Sequence, residues 1–238
     1  MLRVNLLSAK EGMELALPVR HPQAANQILL KIGYEMEPAS NKRLHEMGVR
    51  SIWVRYPALD CLDQFVNSEV VQAQSEVISE MADTFQQVQS KAVARLNYDA
   101  YTGSIGKMIT ALVQNPQAAI FLDDMSGGDG ADMVRHSSTV AYMSLLIGLK
   151  LEGYLVKQRK HVDPSRAKEV ISLGVGAMLH DVGILHLSNE ARELWKQTGD
   201  DSDPEFREHP SLGYRIVRGH VETTAATVLL NHHQRVDG

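Results

Sequence analysis

The sequence predicts a mainly α protein, with an all-helical C-terminal half preceded by a small β-rich N-terminal unit. Three observations carry this. Aromatic residues are only 5% of the chain, whereas Leu, Val, Ala and Met are plentiful, a bias toward helix. Near Asn67 the apolar period changes from short alternating runs to a helical repeat. From there on, five or more helical segments follow one another with no strand between them, which is the pattern of an all-α half.

The N-terminal unit is read over residues 1–58. "LRVNLL" and "MELALPV" are short apolar runs parted by the turn signal "SAKEG", and "QILLKIGYEM" follows. "SNKRLHEMGV" predicts one short helix, with Ser40 as its N-cap and Gly48 as its stop. "RSIWVRY" alternates and is β-branched, so it predicts a closing strand.

Residues 67–123 are expected to be amphipathic linking helices. Val70, Val77, Met81, Phe85, Val88 and Val93 recur at helical spacing, predicting a helix of roughly seven turns. Its apolar stripe packs on the following domain or pairs with a second copy in a homodimer. "SIGKMITALVQN" predicts a helix stopped by Asn115-Pro116, and "PQAAIFLDDM" one that begins at that proline. "SGGDGAD" reads as a Gly-rich interhelical loop.

The last block, 124–238, opens with a core helix in "MVRHSSTVAYMSLLIGLKL". "EGYLVKQRKH" reads as a polar, basic surface connection. "DPSRAKEVISLGVGAMLHDVG" is expected to be one helix, with Asp163 as N-cap and Pro164 at its first position. "DPEFREHPSLGYRIVRG" repeats that start with Asp203 and Pro204, interrupted at His209-Pro210. "ETTAATVLLNHH" ends the series.

With 238 residues, 44% of them hydrophobic, the chain can bury a substantial core. A net charge of −5 argues against a nucleic-acid polymer as partner. The single Cys61 excludes an intramolecular disulfide and a Cys-rich zinc site, and it is expected to be a small buried residue. No apolar run reaches the ~20 residues of a membrane span. The N-terminus lacks a signal-peptide pattern, so the expected location is cytoplasmic.

The chemistry gathers in His136, His180, Asp181, His209, His232 and His233, each near an end of an apolar segment. A buried carboxylate or imidazole needs a partner. Imidazoles with a carboxylate are usual ligands for Fe, Mn, Zn or Ni. Two such ions close together can supply hydroxide at neutral pH and clamp a phosphoryl group. His21, His45, His161, His186 and His220 lack this setting and are read as solvated or without partner pattern.

"HSSTVAYMSLLIG … GAMLHDVGIL … EFREHPSLGYRIV … LLNHHQRVDG" resembles the HD-GYP branch of the HD phosphohydrolase superfamily. The order His, His-Asp, His-Pro-x-x-Gly, His-His-x-x-x-Asp-Gly is that of the family, and the likeness covers residues 124–238. It implies an HD-type helical domain that hydrolyses cyclic di-GMP, or another small phosphodiester, by metal-activated hydroxide. It also implies bacterial signalling, with the N-terminal unit as a regulatory segment. Carried over, Asp181 bridges two divalent metals and is the catalytic residue. His136 and His180 hold the first ion; His209, His232 and His233 hold the second. Asp132, one turn before His136, stands where some relatives place a carboxylate for a third metal, although a solvated helix-start role fits it too. Arg235 is in reach of a phosphate or simply on the surface.

The pattern departs from the family at Ile184, where a phosphate-holding Lys is usual. The Gly-Tyr-Pro and a later Asp of the family do not occur up to Gly238, so the C-terminal part of the domain is expected to be missing. Hydrolysis by this chain is therefore expected to be weak or absent. The alternatives are a catalytically degenerate regulatory or interaction module on the same scaffold, or another nucleotide-acting HD hydrolase.

Overall fold

The structure is a computed structural model describing residues 1–21, 24–90, 96–120, 131–198 and 203–235. It is mainly helical with a small N-terminal strand unit, as the sequence predicts. The chain forms two compact units, one of Met1–Ser79 with Thr110–His136, the other of Glu80–Ile109 with Ser137–Gly238.

In the first unit, β1 (Leu2–Asn5) pairs antiparallel with β4 (Ser51–Val54), and β2 (Val19–His21) with β3 (Ala24–Leu30). Strand β4 alternates, so Ile52 and Val54 turn inward while Ser51 and Trp53 are half-buried. They join Leu6, Leu15, Val19, Met36, Leu44 and Val49 in one apolar core. Helix α1 (Pro38–Glu46) stops before Gly48, which takes the left-handed φ of +88°. Its start is earlier than predicted. Pro38 sets the first turn behind Glu37, and Ser40 instead shares a 2.8 Å hydrogen bond with the Tyr34 hydroxyl. Cys61 is exposed rather than buried, because the 3-10 segment Pro57–Phe65 that carries it buries none of its side chains.

Helix α2 (Ser68–Ser90) is the long amphipathic helix expected. Asn67 caps it by accepting the Glu69 and Val70 N–H groups at 2.9 and 3.1 Å. Val70, Val77, Met81, Phe85 and Val88 are all buried; Val93 lies outside the described residues. Helix α3 (Tyr98–Gln114) ends at Asn115 as predicted. The helix expected from Pro116 does not form over 116–120. There the chain bonds to distant groups: Asn67 donates to the Asn115 side chain at 2.7 Å, and Ala119 N–H donates to the Phe65 carbonyl at 2.6 Å. The rest of that segment and most of "SGGDGAD" lie outside the described residues.

The second unit is built around α7 (Ile171–Leu179), whose residues Gly174–Leu179 are all buried. A helix apolar on every side belongs in a core. Helix α4 (Ala131–Lys150) precedes it, followed by α5 (Glu152–Gln158), so the predicted surface connection is exposed but helical. The single helix expected from Asp163 is broken into α6 (Pro164–Ala167) and α7. Asp163 does cap α6, accepting the Ser165 N–H at 2.9 Å. The break is stabilised from outside, since the Arg159 guanidinium donates to the Ala167 carbonyl at 2.7 Å and the Glu169 carbonyl at 3.4 Å. After α7 come α8 (Asn189–Thr198), α9 (His209–Val217) and α10 (Thr223–Asn231). Among the described residues, no single helix is long and apolar enough to cross a membrane.

Candidate metal centre

Five of the six predicted ligands meet in the second unit, delivered by the ends of three helices. His180 terminates α7, and Asp181 begins the 3-10 turn Val182–His186. His209 is the first residue of α9, and His232 and His233 directly follow α10.

Backbone crossings bring these ends together. At Gly176 on α7, a Cβ would stand 2.5 Å from Val228 Cβ and 2.9 Å from the Ala225 carbonyl oxygen, so α10 packs where only hydrogen fits. At Gly183 a Cβ would stand 2.0 Å from the His209 carbonyl oxygen and 2.6 Å from Gly213 N. The turn after Asp181 therefore lies directly on the first turn of α9. These contacts explain in physical terms why glycines sit at those two places.

The entry to His209 is braced as well. Asp203 accepts the Phe206 N–H at 2.8 Å, and Glu205 accepts from Ser188 N–H at 2.6 Å and its hydroxyl at 2.9 Å. Trp195 of α8 stacks on Phe206, with ring centroids 5.1 Å apart, and Phe206 leans on the His209 ring at 4.8 Å.

Three of the imidazoles are oriented the same way. Nδ1 of His180, His209 and His232 lies 2.8, 2.7 and 2.7 Å from the carbonyls of Ala177, Phe206 and Leu229. A carbonyl only accepts, so each Nδ1 carries a proton and donates it. In the neutral ring each Nε2 is then a lone pair pointing into the cluster, the posture that backbone bonds impose on metal-ligating histidines; in the protonated ring the Nε2–H of His180 and of His232 donates to Asp181 instead. The His209 Nε2 lies 3.1 Å from His232 Nε2 and 3.2 Å from His233 Nε2. Asp181 presents Oδ1 at 3.5 Å to both His209 and His232, and Oδ2 at 3.1 Å to His180.

Electron-rich atoms at such distances need a proton or a cation between them. Nitrogens held ~2.1 Å from one ion stand roughly 3.0–3.4 Å from each other, so the spacing around His209 fits shared coordination. His209, His232 and His233 form one set whose ligand atoms all lie within 4.8 Å. His136 is exposed on α4 and belongs to the first unit. A buried His/Asp cluster able to hold a metal ion is thus present.

The charges respond to this packing. Burial alone would raise Asp181, but hydrogen bonds from His180 and His232 and the charges of His180 and His209 hold it far below the ordinary carboxylate value. Burial would lower His180, yet its bond and attraction to Asp181 prevail and raise it. His209 moves the other way, lowered by burial and by the neighbouring imidazoles.

Ile184 is buried in the 3-10 turn. Arg235, His161, His186 and His220 are exposed. The side chain of Asp132, and Asp237 of the last motif, lie outside the described residues. The ordering groups were not foreseen from the motifs: Ala177, Phe206 and Leu229 each stand three residues before the histidine they orient. That regular offset from a helix end was the available signal. Compared with protein-family models, curated proteins and solved structures, the chain finds no match.

Proposed function

We propose that the second unit is a metal-dependent phosphodiesterase centre of the HD-GYP type, directed at cyclic di-GMP and weak or inactive in this chain. The observation that carries the reading is the meeting of the His209, His232 and His233 Nε2 atoms beside Asp181 Oδ1. His209, His232 and His233 would hold one ion; His136 and His180 would hold another, with Asp181 shared between them. Bound divalent metals supply a nucleophile at neutral pH and charge to stabilise the phosphoryl group.

The chain's own part is orientation. Nδ1 protons committed to Ala177, Phe206 and Leu229 keep the Nε2 lone pairs facing inward. Asp181, held ionised, supplies the compensating negative charge. Burial of His180, Asp181 and His209 excludes bulk water and strengthens each interaction.

The second reading, a catalytically degenerate regulatory module, is favoured by Ile184. Its apolar side chain is packed into the core and presents no cation for a phosphate. Removing a desolvated cation of that kind costs a few kcal/mol of stabilisation, roughly 2–4.

The test is to load the full chain with Mn or Fe and follow cyclic di-GMP by chromatography, with Asp181→Asn as control. Metal binding with turnover that is slight and lost in the control is the expected result. Metal binding without turnover moves the assignment to the degenerate module. Absence of metal binding overturns both.

A further inference from the structure

Away from the histidine cluster, one face of the second unit combines two properties seldom left together in solvent. Residues 150–169 contain six cations, Lys150, Lys157, Arg159, Lys160, Arg166 and Lys168, against the three acids Glu152, Asp163 and Glu169. That is a local charge of +3 in a chain of net −5, so the remaining residues carry −8. Apart from the buried Ala167, the side chains of 150–169 are exposed or half-buried.

The chain leading into this basic stretch also exposes apolar side chains. Met143 and Ile147 lie one turn apart near the end of α4, and Leu151 and Tyr154 follow at the bend into α5; each is between 42% and 58% exposed. Single exposed apolar residues are ordinary, but four within twelve residues around one bend make an apolar stripe of the kind that marks an interaction site. Helix α5 leaves α4 at 70°, and Lys150, Lys157 and Lys160 stand beside or beyond the stripe where that bend occurs.

We propose that this face seats on an anionic membrane surface. The stripe would enter the boundary between headgroups and acyl chains, as an interfacial amphipathic helix does, with Tyr154 at headgroup depth. The lysines would extend their stems along it and meet the negative headgroups. Charge argues for this occupant over a second copy of the chain. A two-fold pairing through the same patch would set +3 against +3. A lipid surface instead offers both the negative charge and the apolar depth.

The experiment is cosedimentation of the full chain with vesicles of pure phosphatidylcholine, and with vesicles containing about 30% phosphatidylglycerol. We expect binding to the anionic vesicles alone, weakened when salt is raised from about 50 mM to about 500 mM. Two double variants test the face: Lys157→Glu with Lys160→Glu, and Ile147→Ser with Tyr154→Ser. All four positions are exposed, so both variants should keep the parental circular dichroism. Each should bind at least about tenfold more weakly. No binding to anionic vesicles, or equal binding by parent and folded variants, overturns the proposal. So does a dimer in light scattering that Ile147→Ser with Tyr154→Ser dissociates, since the stripe would then be a self-interface.

Discussion

Gly183 and His209 meet backbone to backbone: a Cβ on Gly183 would lie 2.0 Å from the His209 carbonyl oxygen. Neither partner is the far end of a flexible side chain, so relief requires moving α9 or the turn after Asp181. Gly183→Ala should cost more than about 3 kcal/mol and separate Asp181 from His209. Gly103→Ala is the control. It lies inside α3 with nothing within 4 Å of a new Cβ, and should stabilise by about 0.5–1 kcal/mol. Urea unfolding of both variants checks the pair.

The Nε2 convergence predicts metal affinity centred on His209. His209→Ala removes the nitrogen close to both His232 and His233, and should weaken Zn or Mn binding by at least about 100-fold, as loss of a direct ligand should exceed loss of an outer partner. His186→Ala, at an exposed histidine outside the cluster, should leave affinity unchanged. Calorimetric titration with metal analysis reads both.

The contact from Trp195 through Phe206 to His209 gives an optical reporter. The chain has two tryptophans, so Trp53→Phe leaves Trp195 alone. Its emission should shift when metal binds, because fixing the His209 ring fixes the Phe206 ring stacked on Trp195. Phe206→Leu should abolish the shift while the protein stays folded. A response that survives this change would place its origin elsewhere.

Asn67 has two roles, capping α2 and donating to Asn115. Asn67→Ala should cost about 1–2 kcal/mol. Asn67→Ala and Asn115→Ala together should cost less than the sum of the two singles, by about 0.5 kcal/mol or more. Thermal melts of the three variants decide it.

Local patterns carried much of the fold. The periodicity of α2, the stop at Gly48 and the Asp163 cap depend on neighbours in sequence, and the sequence displays them. Three of the failures share a cause: a partner outside the local pattern claimed a group that the pattern assigned elsewhere. Arg159 claims carbonyls at the break between α6 and α7. Asn67 and Phe65 hold the stretch after Asn115 out of a helix. Tyr34 engages the hydroxyl expected to cap α1. For the candidate site, residue types at helix ends named the histidines. That Gly176 and Gly183 are the crossing points became visible only once α9 and α10 were in place.

The cluster also has a topological consequence. His209 and His232 are 23 residues apart in the chain, and His209 and His233 are 24 apart. An ion shared among them would close that stretch into a ring, as a covalent crosslink of similar span does. By the chain-entropy argument such a closure is worth about 3 kcal/mol against unfolding. Unlike a disulfide, this buckle would open and shut with the supply of free metal. The region from α9 to the end of α10 would then tighten or loosen with metal availability, whether or not any phosphodiester is cleaved.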